Sequence, residues 1–349
     1  MDQQATGFSI VVCTHNGKAR LLPTLEHLAA LAVPAGHRVE LLLLDNASTD
    51  GTAMFASAAW LQLGAPYPLR LLEEKRPGKG FAVETGYDAA AYSCILTVDD
   101  DNWLDAHYLT KAVALFAAHP EVSILQGFSE AVFETAPPAW FADPRMAKQL
   151  VVGGQYDESG HFPEGHFHVW GAGLVIYRED WLKLRRGGFS FLTSKILGKA
   201  AGEDSELGLG LSLLGRRAYY SSELKFKHFM PAGRLEWGKI KQNFDTFGYV
   251  SYYFSLYAAV IQALEAGKRL RTQSARTFIL KGLLKQFNLL TAKQHAAFWV
   301  MPREEYYQLL LSEYYSRLQW VFKLSASLRQ DIETIEKWVA PLIADRNKV

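Results

Sequence analysis

Val39-Glu-Leu-Leu-Leu-Leu44, followed by Asp45-Asn-Ala-Ser-Thr-Asp-Gly51, is the stretch on which the reading of the fold turns. A nearly continuous apolar run suits a strand covered on both faces, as in a parallel sheet. The polar turn after it is rich in residues that cap helices. Upstream, Phe8–Thr14 (FSIVVCT) reads as another short strand, and Leu21, Leu22, Leu25, Leu28 and Leu31 recur at helical spacing. Downstream, residues 52–63 read as a helix, 69–73 as a strand, 79–91 as a helix and Cys94–Val98 (CILTV) as a further buried strand. This βαβαβα rhythm predicts an α/β fold with a Rossmann-like, doubly wound, mostly parallel sheet. Such sheets bind ligands beyond the carboxyl ends of their strands, so the polar residues just after each strand are the functional candidates.

The composition shifts near residue 235. Of 27 glycines, only Gly267 and Gly282 lie beyond residue 250. Apolar stripes at Tyr307, Leu310, Leu311, Tyr314, Leu318, Val321 and Phe322, and at Leu328, Ile332, Ile335, Val339 and Leu342, fit amphipathic helices. The expected organisation is an α/β domain over residues 1–235 and an all-helical domain over 236–349. With 349 residues, 49% of them hydrophobic, the chain can bury a sizeable core. Disorder and disulfide scaffolds are excluded by composition. A net charge of +1 from 37 basic and 36 acidic residues gives no footing for a nucleic-acid partner. Cys13 and Cys94 sit in apolar runs and read as reduced, buried thiols. The N-terminus lacks the features of a signal peptide, so a cytoplasmic location is expected. Thr246–Leu264 is 19 uncharged residues long but rich in tyrosine, and reads as a buried or interfacial helix rather than a span. Residues 225–303 carry 13 Lys/Arg against three acids, a surface suited to peripheral contact with anionic lipid or with a pyrophosphate-bearing acceptor.

The strongest chemical signal is Val98-Asp99-Asp100-Asp101-Asn102. Three adjacent carboxylates after a buried strand repel one another unless a cation offsets them. Oxygen ligands so placed suit Mg2+ or Mn2+ bridging to a substrate's phosphates. The alternative is an acidic turn capping a helix over Trp103–Ala118. Thr14-His15-Asn16 ends the first strand and Asp45 the second. Arg76-Pro-Gly-Lys79-Gly80 opens the next helix, as a phosphate cradle or a plain turn. No G-x-G-x-x-G follows the first strand and no P-loop occurs anywhere. His161, His166 and His168 lie in a long segment over 130–168, which reads as an acceptor-side loop rather than a zinc site.

In order, VVCTHNG, LLLLDNASTDGT, RPGKGFAVETG, LTVDDDNWLD and GEDSELGLGLSLLG together resemble family 2 glycosyltransferases of GT-A fold, over residues 8 to about 235. The resemblance implies a GT-A catalytic domain, a nucleotide-diphospho-sugar donor, a divalent metal (Mg2+ or Mn2+) and single-displacement, inverting transfer. It places Thr14, His15, Asn16, Asp45, Arg76, Lys79 and Gly80 on the nucleotide side. Asp99 and Asp101 match the ends of a D-x-D element, with Asp101 on the metal. Asp100 takes a ribose contact if the register is shifted by one. Gly171, Ala172 and Gly173 match the loop flooring donor sugar and acceptor. Glu203-Asp204 matches the pair whose aspartate is the usual base. His228 is either a metal or diphosphate contact or a packed histidine.

Two departures stand out. Thr85 occupies a position where relatives often carry asparagine, and the Q-x-x-R-W element of processive synthases is absent. Transfer of one sugar at a time is therefore expected, from a UDP-sugar to a glycan or lipid-linked acceptor of a bacterial surface, at the inner face of the plasma membrane. The competing readings are a sugar-phosphate nucleotidyltransferase and a non-catalytic sugar-nucleotide or glycan-binding protein.

Overall fold

The computed structural model of the chain describes residues 6–194, 201–297 and 305–346, without the side chains of 291–297. The chain divides into two compact units, Met1–Arg186 with Ser194–Ala232, and Gly187–Thr193 with Gly233–Val349.

The first unit is a mixed nine-stranded sheet with helices on both faces. Its elements are β1 (Gly7–Thr14), α1 (Leu21–Ala29), β2 (Arg38–Asp45), α2 (Thr52–Gln62), β3 (Leu69–Glu73), α3 (Lys79–Ala89), β4 (Cys94–Asp99), β5 (Asn102–Leu104), α4 (Tyr108–Ala118), β6 (Val122–Phe133), α5 (Pro144–Gln149), β7 (Gly160–His161), β8 (Val175–Tyr177), α6 (Arg178–Arg186), α7 (Glu203–Leu213) and β9 (Arg217–Met230). Strand order is β3-β2-β1-β4-β8-β6-β9-β5, with β7 on β9. The β1–β2, β2–β3, β1–β4 and β6–β9 ladders are parallel, and β8 runs antiparallel between β4 and β6. The carboxyl ends of β1, β2, β4 and β6 therefore share one edge. Thr14 pairs with Asp45, and Cys13 with Asp99, so three strands end level.

The apolar runs are buried on both faces, as two-sided cover requires. Ile10, Val12, Leu43, Leu96 and Val98 join Leu25 and Leu28 of α1, Trp60 of α2 and Tyr108 of α4 in the main core. On the opposite face, Gly86 of α3 lies over Val11 and Leu44.

The region after the carboxylates differs from the expected helix over Trp103–Ala118. Asn102-Trp103-Leu104 instead pairs with β9, and the helix begins only at Tyr108. A ladder with a distant strand overrode local helical preference. β9 continues past Phe226 to Met230, which sets His228 within the strand, opposite Asn102. The 130–168 segment also has structure of its own. It opens within β6 and contains a 3-10 turn at Ala139–Ala142, α5 and β7. Cys94 is buried and Cys13 only partly so. Burial pushes both thiols up, Cys94 to about 11, so they are protonated and inert.

The second unit holds α8 (Trp237–Glu265), α9 (Thr272–Ala297), α10 (Glu305–Lys323) and α11 (Leu328–Arg346). Tyr249, Tyr252, Leu256, Tyr257 and Val260 bury the uncharged stretch of α8 in its core with Ile335, Trp338 and Val339. Among the described residues no helix is long and apolar enough to cross a membrane. Gly187–Thr193, expected in the first domain, packs here. Phe189 meets Trp338 edge-on at 4.9 Å, and Tyr249 Oη donates to the Leu192 carbonyl at 3.1 Å.

Candidate active site

At the carboxyl edge of the sheet, Lys79 Nζ lies 2.9 Å from Asp99 Oδ1 and 3.1 Å from Glu203 Oε1. The end of β4, the start of α3 and the start of α7 are thus tied through one ammonium. Burial alone would push Lys79 down, but Asp99, Glu203 and Asp204 outweigh it and hold it well above the ordinary lysine range. Glu203 is buried, and its Oε2 has no hydrogen-bond partner. Asp204 accepts from the Gly171 amide at 3.1 Å and from the Ser205 amide at 2.6 Å. A helix N-terminus favours anions. Burial and the adjacent Glu203 charge nevertheless push Asp204 up to about 7, against the pull of Lys79. The Trp170–Gly173 loop that reaches Asp204 is fastened on both sides. Gln126 Nε2 donates to the Trp170 carbonyl, and Tyr108 Oη donates to the Gly173 carbonyl at 2.6 Å. Gly173 has φ of 68°, and a Cβ there would stand 2.6 Å from that hydroxyl, so only glycine fits.

One turn away, His228 Nε2 lies 3.5 Å from Asp101 Oδ1 and has no hydrogen-bond partner, although the side chain is only 1% exposed. Its Nδ1 faces the Val151 carbonyl at 3.2 Å. A carbonyl only accepts, so Nδ1 is the donor in that contact, which leaves Nε2 as the ring nitrogen facing Asp101. Val151 is β-branched yet has φ of 58°, a strained backbone conformation. Its carbonyl also accepts from Ser129 Oγ.

Asp100 is turned elsewhere. Arg20 reaches it through Nε at 2.8 Å and Nη2 at 2.7 Å, and Thr14 Oγ1 donates to it at 2.5 Å. Gly17 permits this closure, since a Cβ would lie 2.0 Å from Thr14 Oγ1 and 2.6 Å from Asp100 Oδ2. Asn16, at φ of 48°, accepts from the Thr49 amide at 2.8 Å, and Asp45 accepts from the Ser48 amide at 3.0 Å. His15 Nδ1 lies 2.7 Å from the Asn46 carbonyl. Asn46 in turn donates to the carbonyls of Glu74 and Arg76 and accepts from the Gly78 amide. Arg76 forms a bidentate pair with Glu74 at 2.9 and 2.8 Å and lies 4.3 Å above the Phe81 ring.

Glycosyl transferase family 2 matches residues 9–163, and glycosyl transferase family group 2 matches residues 94–322. The chain is a family 2 glycosyltransferase. It is 28% identical over 185 residues to a dodecaprenyl-phosphate galacturonate synthase of Rhizobium johnstonii, covering 52% of this chain and 50% of that one. An uncharacterized glycosyltransferase of Mycobacterium bovis is 40% identical over 83 residues, 24% of this chain and 34% of that one. The chain thus spans about half or less of the length of these relatives. In fold, this transferase resembles S. aureus TarS 1-349 in complex with UDP-GlcNAc, with a TM-score of 0.54 and 14% identity over 98% of this chain and 92% of that one. It also resembles the mannosyltransferase PcManGT of Pyrobaculum calidifontis in complex with GDP-Man and Mn2+, with a TM-score of 0.53 and 18% identity over 89% and 86%. The GT-A architecture follows from these likenesses, together with a helical C-terminal region.

In this glycosyltransferase, Asp99, Lys79, Glu203, Asp204 and the Gly171–Gly173 loop converge, as do Asp101 and His228. Both oxygens of Asp100 are engaged by Arg20 and Thr14, which ties the end of β1 to the turn after β4. The Gly80 amide donates to the Ser194 carbonyl at 3.1 Å and so is not offered to a phosphate. Arg20, Val151 and the lysine-centred cluster were not anticipated. His168, expected in an acceptor-side loop, lies close to the start of α7. Its Nδ1 is 3.3 Å from Ser205 Oγ, one residue from Asp204.

Proposed function

We propose that this glycosyltransferase is metal-dependent and inverting, and that it moves one sugar from a nucleotide-diphospho-sugar, a UDP-sugar in the first instance, to a glycan or lipid-linked acceptor. The observation that carries this reading is the Asp99–Lys79–Glu203 cluster with Asp204 beside it. An acceptor hydroxyl attacking an anomeric carbon must shed a proton. Asp204, half-buried and raised toward neutrality, is a base matched to that task. Gly171 and Ser205 orient its carboxylate, and the ammonium of Lys79 opposes its protonation. Inversion follows if attack and departure occur in a single displacement, with Asp204 taking the proton and no side chain forming a bond to the sugar.

The donor set also suits a cation. A buried imidazole nitrogen without a partner, aimed at a carboxylate, is costly unless something binds there. Asp101 and His228 would hold the ion, with Asp99 alongside, and the imidazole favours Mn2+ over Mg2+. When bound, such an ion supplies Lewis-acid stabilisation to the departing nucleoside diphosphate. UDP, GDP, dTDP and CDP, each with and without Mn2+, test the site through the melting temperature, because a ligand of the native state raises it by mass action. A rise with one nucleotide that requires Mn2+ is expected, and a flat response to all four overturns the reading.

The acceptor side is read from α9. Leu280, Leu284, Phe287 and Leu289 are 41% to 60% exposed. The same helix carries Arg276, Lys281 and Lys285 and no acidic residue. An apolar row among basic residues fits an anionic bilayer surface. The Rhizobium relative, named for a lipid phosphate, supports a lipid-linked acceptor. Sedimentation with phosphatidylglycerol vesicles, but not with phosphatidylcholine, is expected, and Leu284→Glu should weaken it. Equal recovery from both supernatants would remove the membrane from the account.

A further inference from the structure

At the opposite edge of the same sheet, three side chains converge that the sugar-transfer reading does not use. His119 follows α4, Glu121 precedes β6, and His161 is the second residue of β7. Their ligating atoms all lie within 4.8 Å of one another. Glu121 Oε1 stands 3.1 Å from His161 Nε2 and 3.9 Å from His119 Nδ1. The group is built rather than incidental. His119-Pro120-Glu121 forms a tight turn closed by the Val122 amide on the His119 carbonyl at 3.0 Å. Proline at its second position fixes that turn. β7 is anchored by its pairing with β9, His161 opposite Tyr219. Tyr219 then holds both imidazoles, stacking on His119 at 4.3 Å and meeting His161 edge-on at 5.3 Å.

We propose that His119 Nδ1, Glu121 and His161 Nε2 bind a divalent transition-metal ion, Zn2+ in the first instance, at a site separate from the Asp101–His228 centre. Two imidazole nitrogens and one carboxylate form a common three-residue zinc set, with solvent completing a tetrahedron. Ligand atoms at ~2.0–2.2 Å from a tetrahedral zinc lie about 3.3–3.6 Å apart. The two carboxylate–imidazole spacings here, 3.1 and 3.9 Å, fall on either side of that range, and no two ligand atoms are more than 4.8 Å apart, so side-chain rotation suffices to close the set. An ion pair is a poorer account of the group. Protonating both rings beside one carboxylate sets two like charges against each other, whereas a metal uses all three lone pairs at once. Along β9, Tyr219 precedes His228 by nine residues, on the order of 25–30 Å of strand, so the two centres cannot share an ion. The 130–168 segment leaves the sheet at the carboxyl end of β6 and is pinned at the amino edge by β7. A bound ion would rivet that segment to the turn before β6.

The test uses untagged full-length protein, freed of metal and carrying Asp101→Asn so that the other centre loses a principal ligand. Titration with ZnCl2 is expected to saturate at one equivalent, and Co2+ to give a visible absorption band that Zn2+ displaces. Hydrogen exchange at Gly160–Phe162 should slow when zinc is bound. Adding His119→Gln and His161→Gln should abolish the Co2+ band and the exchange protection. His161→Gln alone, at a partly exposed position, weakens both if the double change impairs folding. The proposal is overturned if the Asp101→Asn protein takes up no zinc, or if zinc binding and the Co2+ band survive loss of the histidines.

Discussion

Arg20 closes on Asp100 through two nitrogens, at 2.8 and 2.7 Å, whereas Lys79 reaches Asp99 with its single nitrogen at 2.9 Å and shares it with Glu203 at 3.1 Å. The two aspartates are neighbours in the chain and each has a basic partner. The planar guanidinium saturates Asp100, and Thr14 and Thr24 fasten its side chain and its carbonyl. Lys79 is a point charge divided between two carboxylates, and it leaves Glu203 Oε2 without a partner. A closed pair makes a scaffold that joins the end of β1 to the end of β4. A shared ammonium from α3 instead gathers carboxylates from two other elements, β4 and α7, while leaving an acceptor uncommitted. The run of three aspartates is therefore two structures, one closed and holding the strand ends in place and one left open.

The largest effect expected from breaking this contrast is on the open side. Asp204→Asn should lower sugar transfer by about 10^3-fold, the scale of general-base catalysis, while keeping the nucleotide-dependent rise in melting temperature. Transfer that survives the change would take the proton-accepting role from Asp204. On the closed side the cost should fall on stability. Arg20→Met leaves Asp100 buried without its cation and is expected to cost about 3 kcal/mol in urea unfolding at pH 8. Burial already raises Asp100 even with Arg20 present. Without Arg20 the group escapes by protonation, so the loss should be smaller at pH 5. Nucleotide affinity of the folded variant should change less than tenfold; a larger loss would put Arg20 and Asp100 in the binding site.

The open cluster should itself be a source of instability. Asp204 is raised above its unfolded value, so the folded state binds that proton more tightly than the unfolded chain does. The sign follows from linkage: wild-type stability falls as pH rises from about 4 to about 7 and the deficit is constant above that. Asp204→Asn has no such titration. It should match wild type near pH 4 and exceed it by about 2 kcal/mol at pH 8, read from melting or urea curves. Each tenfold gain in proton affinity on folding is worth ~1.4 kcal/mol, and solvent at this half-buried carboxylate screens part of the total. A variant less stable than wild type at pH 8 would mean that the hydrogen bonds from Gly171 and Ser205 outweigh the buried charge.

The legibility of these features follows how local their cause is. β1, β2 and β4 announce themselves because two-sided burial demands uninterrupted apolar residues, and the polar ends of those strands mark the crevice. Asp100 and Asp101 form the turn between β4 and β5, and that turn sends the three carboxylates to different partners, Lys79, Arg20 and His228, a division masked by reading the triplet as one ligand cluster. The contact between Asp101 and His228 depends on β5 pairing with β9, and no pattern around Trp103 encodes a partner so far away in sequence. Lys79 is found between Asp99 and Glu203 only once three elements have been assembled. Phe189 and Phe191 read as ordinary apolar residues of the first domain. Only the packed aromatic core of the helical unit shows where their burial is satisfied.

A third pair grades the comparison at its weak end. Arg76 is as well matched to Glu74 as Arg20 is to Asp100, with two bonds at 2.9 and 2.8 Å, but its side chain is 61% exposed. Arg76 holds the Glu74 carboxyl down at about 2, and Thr85 Oγ1 adds a bond of 2.7 Å to the same carboxylate. Thr85→Val keeps the shape and removes that one bond. Solvent screens the ion pair, and Arg76 still serves the acceptor, so the expected cost is about 1 kcal/mol. A depressed carboxylate contributes stability above its unfolded pKa of 4.5 and loses it as pH falls toward 2, so the difference between Thr85→Val and wild type should persist at pH 6 to 8 and shrink below pH 4. Glu74 also receives the Arg76 amide, and Asn46 binds the carbonyls on either side, so the loop keeps its path without the threonine. A loss near 3 kcal/mol would place this surface pair with the buried one at Asp100, and geometry rather than burial would then set the worth of an arginine–carboxylate pair in this sheet.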